Sequence, residues 1–298
     1  MPDPLSEATV ASRKTWLPAA FMAVALLVLS TACSDPDDLS DGSMTLPPSL
    51  SELSGMVALD EHTLACVQDE LGVVFIVDLQ GKEPIRSVSF GDDGDYEGIA
   101  AKGDALWVLR SDGTLLELAW DAGRLVSKHT YKLPFEGEFE GLCVDTSGEH
   151  LLVLPKGPVD GKRREKKRRH ILAFHLLLRT GLKQPVMTLK VNDIEAQIEA
   201  RDLPGPRRTT AKGNRKVDLG LRGSELLALP GGDLLILSPK DRLLLRLNSD
   251  GDVVATQELD MNLLPQPEAM ALMPDGRLLI GSEGHDRPAR IAVVAIPQ

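Results

Sequence analysis

Three glutamates recur at one place in a repeated unit. Glu97-Gly98-Ile99, Glu140-Gly141-Leu142 and Glu268-Ala269-Met270 share their pattern with Ser54-Gly55-Met56 and Ser224-Glu225-Leu226, and the five units stand 43, 43, 84 and 44 residues apart. If the repeats converge, three carboxylates meet at one point, where like charges need a cation, a proton or a basic partner. Oxygen donors with no His or Cys beside them suit Ca²⁺, or Mg²⁺, rather than zinc or copper. Glu97, Glu140 and Glu268 are therefore the candidate metal ligands. Ser54 and Ser224 occupy the equivalent places, while Asp69, Glu70, Lys156 and Glu283 fall at the ends of second strands and complete the candidate ligand-binding set, with Lys156 as an internal counter-ion. A purely structural alternative fits the same units: they hydrogen-bond between neighbouring repeats and close a ring, the glycines allowing close backbone approach.

No catalytic residue is assigned. The chain has no G-x-S-x-G, P-loop or H-E-x-x-H motif, and its six histidines are scattered. Asn248 to Asp252 begins like a calcium loop, but Leu259 stands where the twelfth-position Glu would be, so a hairpin turn is expected.

A period near 43 residues is the length of a four-stranded propeller blade. Within each period apolar strand-like runs such as TLACVQDE and VVFIVDL alternate with turn pairs such as Asp112-Gly113 and Asp275-Gly276. The expected fold is all-β: a propeller of five four-stranded blades, or six if the 84-residue interval holds two. The last unit has only three strands, and residues just before Ser54 are expected to supply its outer one. The long interval reads better as an enlarged third blade followed by a short helix over 192–202, with Asn192 and Glu195 as capping box and Ile194 and Ile198 on one face. A Pro-rich basic loop over 203–216 follows.

The chain has 298 residues, 43% hydrophobic and 26% charged, which excludes collagen-like, coiled-coil and wholly disordered classes. Its net charge of -11 is unevenly spread, because Lys156 to Lys216 carries +11 and the remainder -22. Lys162, Arg163, Arg164, Lys166, Lys167, Arg168 and Arg169 form a basic run within insertions at about 157–170 and 203–216. The run reads as a solvated hairpin extension, or as a contact for an anionic envelope component. Nucleic acid is not an expected partner, since the body is acidic and no aromatics interleave the basic residues.

Residues 17–32 form a short apolar run behind Arg13 and Lys14, with the layout of a signal peptide. Its ending, Leu29-Ser30-Thr31-Ala32-Cys33, resembles the bacterial lipoprotein signal, with Ser30 where Leu is commoner. That resemblance implies lipidation of Cys33, attachment to a membrane and an extracytoplasmic address, on the periplasmic face of the outer membrane in a Gram-negative host. The expected division is signal peptide 1–32, flexible tether 33–50 and propeller 51–298. Cys66 and Cys143 lie in apolar runs and are expected as core filler.

The order Ser54-Gly55, Asp69-Glu70, Asp95-Tyr96-Glu97-Gly98, Phe139-Glu140-Gly141, Lys156-Gly157-Pro158, Leu237-Ser238, Gln266-Pro267-Glu268 and Ser282-Glu283 resembles the SdiA-regulated domain family of bacterial envelope propellers. Glu225, Ala269 and the basic insertions depart from its pattern. The resemblance implies a fold and an envelope location more than an activity, and a more distant similarity runs to calcium-containing propellers, including lactonase-like and phytase-like hydrolases. The expected function is a lipid-anchored propeller that binds a ligand or partner at the channel mouth with a divalent cation. The alternatives are a Ca²⁺-dependent hydrolase of phosphoesters or lactones, and an envelope scaffold acting through the basic insertion.

Overall fold

A computed structural model describes residue 39 and residues 42–83, 85–161, 167–284 and 286–298. The signal peptide, Cys33 and the basic residues Lys162, Arg163, Arg164 and Lys166 lie outside the described residues. Five antiparallel sheets make a five-bladed propeller. The first described strand, β1 (Ser43–Thr45), belongs to the last blade. Blade one comprises β2 (Leu53–Ala58), β3 (Thr63–Gln68), β4 (Val73–Asp78) and β5 (Arg86–Ser89); blade two comprises β6 (Tyr96–Lys102), β7 (Ala105–Arg110), β8 (Thr114–Asp121) and β9 (Arg124–Lys132). Blade three has β10 (Phe139–Val144), β11 (His150–Pro155), β12 (Arg168–His175) and an outer position shared by β13 (Thr180–Gly181) and β14 (Met187–Lys190), which pair with opposite ends of β12. After helix α1 (Val191–Ala200) and a hairpin of β15 (Arg207–Thr209) and β16 (Arg215–Val217), blade four follows as β17 (Glu225–Ala228), β18 (Leu234–Ser238), β19 (Leu243–Leu247) and β20 (Val253–Glu258). Blade five is β21 (Pro267–Leu272), β22 (Leu278–Ser282) and β23 (Arg290–Val294), completed by β1.

The near-continuous apolar runs have a direct cause. Five apolar clusters fill the gaps between adjacent blades, one per gap, so the middle strands are covered on both faces. Alternation survives only as a choice of neighbour: in β3, Leu64 and Cys66 face blade five, and Ala65 and Val67 face blade two. Cys66 and Cys143 are free and buried in different clusters, and burial pushes the Cys66 thiol up to about 12. Both are core residues, as expected.

Three expectations change. Residues 33–50 are not simply a tether: β1 pairs with β23, and Leu39, Met44, Leu46 and Leu50 are buried between blades five and one, so the propeller begins well before residue 51. The helix starts at Val191, whose fully buried side chain draws it into the core, and no side chain caps it. Asn192 is therefore inside the helix, and Glu195 accepts the Leu219 N–H at 2.9 Å and pairs with Lys167 at 2.9 Å; Ile194 and Ile198 do share the buried face. The basic loop over 203–216 is in fact largely the β15–β16 hairpin. Asn248 to Asp252 is a turn, with Asn248 Oδ1 accepting from the Asp250 and Asp252 amides.

Candidate functional site

The innermost strands β2, β6, β10, β17 and β21 pack side by side around a central channel. In β2, β6, β10 and β21 the pairing with the second strand slips at one place, and the residue left over is Ser54, Glu97, Glu140 and Glu268 in turn. A β-bulge re-aims the extra side chain. In blade four, Ser224 holds the same position just before β17, its N–H donating to Leu237 O at 3.0 Å. In four of the five blades the repeated unit legible in the sequence is thus the bulge, and all five residues line one mouth of the channel.

The glycines that follow serve close packing. A Cβ on Gly55 would stand 2.9 Å from Gly98 Cα, one on Gly98 would meet Leu142 Cβ at 2.9 Å, and one on Gly141 would meet Glu225 Oε1 at 2.8 Å. The serines join blades: Ser54 Oγ donates to Tyr96 O at 2.6 Å and Ser224 Oγ to Pro267 O at 3.3 Å, each the carbonyl preceding the next blade's glutamate. The glycines and hydroxyls therefore close the ring, as the structural alternative expects, while the carboxylates of Glu97, Glu140 and Glu268 face the mouth.

A cavity of about 350 Å³ opens there, lined by Ser54, Glu97, Glu140, Ser224 and Glu268. Asp69, Lys156, Pro239 and Glu283, each just after a second strand, form a further layer, with Lys240, Gln266, Arg222 and Gly223 at the edge. Every predicted site residue in the described chain except Glu70 and the basic run Lys167, Arg168 and Arg169 thus comes to this cavity. Glu70 is exposed, its N–H donating to Gln68 Oε1 at 2.5 Å. Arg169 lines a neighbouring cavity of about 900 Å³ that shares Lys156 and Arg222 with the mouth. At the far end the channel is apolar, lined by residues such as Ala101, Val144 and Leu272.

Charge at the mouth is partly self-compensated. Lys156 Nζ lies 2.5 Å from Glu140 Oε1. Burial pulls the Lys156 ammonium down, but the bond to Glu140 and the fields of Glu97 and Glu268 leave it above its ordinary value. Burial raises Glu140 against the opposing pull of Lys156. Burial, then Glu140 and Asp95, push the Glu97 carboxyl up to about 9, and burial, then Glu283 and Glu140, push Glu268 up to about 8. Burial and Glu52 raise Asp69 to about 6.

The same period carries a second ring, which no motif marks in the sequence. Two residues before each mouth-facing position stand Glu52, Asp95, Glu138, Arg222 and Gln266. Asp95 Oδ2 accepts a hydrogen bond from Ser111 Oγ, and Gln266 Nε2 donates to Glu283 Oε2 at 2.7 Å. Glu225, in the sequence only a departure from the family's Gly, has a structural role of its own. It is 1% exposed, and its Oε1 accepts the Leu142 and Leu226 N–H groups at 2.9 Å each, bridging blades three and four.

The class so defined is a five-bladed β-propeller with a charged cavity at one end of its channel. No family model and no curated protein matches the chain. Among solved structures it is similar to a glutaminyl cyclase from Myxococcus xanthus, with TM-score 0.54 and 14% identity over 85% of this chain and 97% of that one. It is also similar to a streptogramin B lyase (TM-score 0.46, 11% identity, 84% and 96% covered) and to virginiamycin B lyase from Staphylococcus aureus (0.44, 12%, 88% and 79%). At 14% identity the likeness to the cyclase is one of fold.

Proposed function

We propose that the channel mouth binds a small polar ligand through a positively charged group held between Glu97 and Glu268. The observation that carries this is the placement of those two carboxyls in the cavity at the mouth, where burial and neighbouring carboxylates hold them up to about 9 and about 8 against the opposing field of Lys156. Perturbed groups gathered in a cleft mark a site adapted to bind rather than to be stable. A divalent cation is one such positive group. Ca²⁺ or Mg²⁺ would find oxygen donors in Glu97, Glu268 and the serine hydroxyls, but Glu140 is engaged by Lys156, and among the described residues no group of three or more His, Cys, Asp or Glu forms a metal-holding cluster. An organic ammonium needs fewer ligands, so Glu97 and Glu268 can serve it while Lys156 keeps its bond to Glu140.

Calorimetric titration of the protein with ethanolamine and separately with Ca²⁺ tests this. Binding of either is expected to weaken at least tenfold in Glu97→Gln/Glu268→Gln. Because a cation must displace protons from carboxyls raised to about 8 and 9, affinity is expected to climb from pH 6 to pH 8, by about tenfold per pH unit for each proton displaced. Silence with both probes at pH 8 rejects the proposal. In the free protein the sign is opposite: stability from the neutral carboxyls is complete below their ordinary values near 4.5 and is lost as pH rises through about 8 to 9.

The proposal places this binding site outside the cytoplasm, on a chain anchored through Cys33. Its support is the apolar run ending in Leu29-Ser30-Thr31-Ala32-Cys33. Metabolic labelling with palmitate is expected to mark the protein and to be lost in Cys33→Ser; undiminished label in that variant refutes the anchor.

A further inference from the structure

Around the ring, the acidic and basic groups of the mouth are segregated. Blades five, one and two contribute Glu268, Glu283, Asp69 and Glu97, whereas blade four contributes Arg222 and Lys240. Lys156 of blade three, paired with Glu140, stands beside them. In the ring two residues before the mouth, blades one to three carry acids and blade four alone carries a cation, Arg222. Among the described residues neither Arg222 nor Lys240 makes an ion pair, although the sequence outside Lys156 to Lys216 carries -22.

Arg222 is also positioned with unusual care. The segment leading to it is held peptide by peptide by charged side chains. Asp241, 6% exposed, accepts the Gly220 N–H at 2.8 Å and the Leu221 N–H at 2.7 Å. Arg169, 7% exposed, donates to Gly220 O at 2.6 Å and Leu221 O at 2.5 Å, and Ser238 Oγ donates to Arg222 O at 3.1 Å. Leu221 is thereby kept at φ 40°, a conformation a bulky side chain rarely adopts. Burying an arginine and an aspartate to fix one short segment is expensive in desolvation. What the segment delivers is an exposed guanidinium lining the same cavity as the Lys156 and Lys240 side chains, and guanidinium is the side chain suited to bidentate binding of carboxylate or phosphate.

We infer that Arg222 and Lys240 form an anion subsite, so that the ligand of this mouth is a small zwitterion whose anionic group meets blade four while its ammonium meets Glu97 and Glu268. This rests on the reading of the mouth given above and adds the ligand's second charge. A carboxylate, sulfonate or phosphate is equally suited to the cation pair, and the probes separate them.

Titrations at pH 8 with phosphoethanolamine, β-alanine and taurine, beside ethanolamine and inorganic phosphate as single-charge controls, decide it. At least one zwitterion is expected to bind tenfold or more tightly than either control. Arg222→Gln should erase that advantage and leave ethanolamine binding unchanged or stronger, and Lys240→Gln should lower it in the same direction; both residues are at the surface rim, and a circular dichroism melt checks folding. If ethanolamine binds as tightly as every zwitterion, or Arg222→Gln binds the zwitterions as wild type does, the anion subsite is overturned while the positive-group reading stands. Phosphate binding as tightly as the zwitterions overturns the dipolar ligand. Silence with all five probes overturns the zwitterionic ligand, and silence with Ca²⁺ as well overturns the positive-group reading.

Discussion

A chain beginning at Ser51 is expected not to form the ring, whereas one beginning at Asp35 is expected to fold. The difference lies in β1 and the residues flanking it. Ser43, Met44 and Thr45 pair with Ala292, Ile291 and Arg290, so β1 is the outer strand of blade five and covers the edge of β23. Leu46 N–H also donates to Ala289 O at 2.7 Å. Leu39, Met44, Leu46 and Leu50 are 6%, 1%, 2% and 0% exposed in the cluster between blades five and one. Truncating one such side chain costs about 2–5 kcal/mol, so losing four rivals the ~5–15 kcal/mol that holds a whole domain together. The shorter chain would also expose an unpaired strand edge, which favours aggregation. Size-exclusion chromatography and thermal melts of the two chains measure this, and matching melting points would sink the assignment of β1 as the closing strand. A milder version, Met44→Ala in the longer chain, is expected to lose about 2–4 kcal/mol by urea unfolding.

Glu225 is expected to tolerate Gln and not Ala. Its Oε1 accepts two backbone N–H groups across the seam between blades three and four, while Oε2 is buried with no hydrogen-bond partner among the described residues. An ionised oxygen in that place would be unsatisfied, and burial, despite the two N–H bonds, holds this carboxyl well above the ordinary range. Gln keeps the accepting carbonyl and imitates the neutral acid. Ala orphans the Leu142 and Leu226 amides, at a cost of about 2–4 kcal/mol. The sign with pH follows from a folded-state value raised above the unfolded one: the stability Glu225 contributes is whole below its ordinary value and falls as pH rises toward the raised one. Glu97 and Glu268 add to the same slope, so the informative quantity is the difference between wild type and Glu225→Gln, which should widen in favour of the variant from pH 5 to pH 9. A difference that does not change with pH means the side chain is ionised in the fold.

Much of this architecture was legible because each blade repeats one local demand. A bulge needs an extra residue that faces the channel, and a small residue must follow where neighbouring inner strands nearly touch; hence Ser54-Gly55, Glu97-Gly98 and Glu140-Gly141. The same repetition brought Asp69, Lys156 and Glu283 to the cavity from the ends of second strands. What was not legible depended on pairing between distant segments. Asn192 and Glu195 have the spacing of a capping box, yet the buried Val191 moves the helix start, and Glu195 finds its partner in Leu219, 24 residues on. The three-stranded last unit did call for an outer strand from before Ser54, but Ser43 to Thr45 sits in a stretch rich in Asp, Ser, Gly and Pro that reads as a tether, and only its register with β23 marks which residues close the ring. Arg222 carries no motif of its own: its position is marked only by the period, two residues before Ser224, where its sign differs from that of Glu52, Asp95 and Glu138.

The five clusters between blades have a consequence for how the molecule comes apart. No blade owns a core; each lends one face to the blade before it and the other to the blade after. A linear array of repeats can fray from a terminal repeat, since that repeat has a single neighbour. Here β1 ties the first described strand to the last, so there is no terminal blade and no cheap place for unravelling to begin. Opening the ring anywhere uncovers two apolar faces at once, and the mouth, whose groups come from all five blades, exists only while every seam is shut.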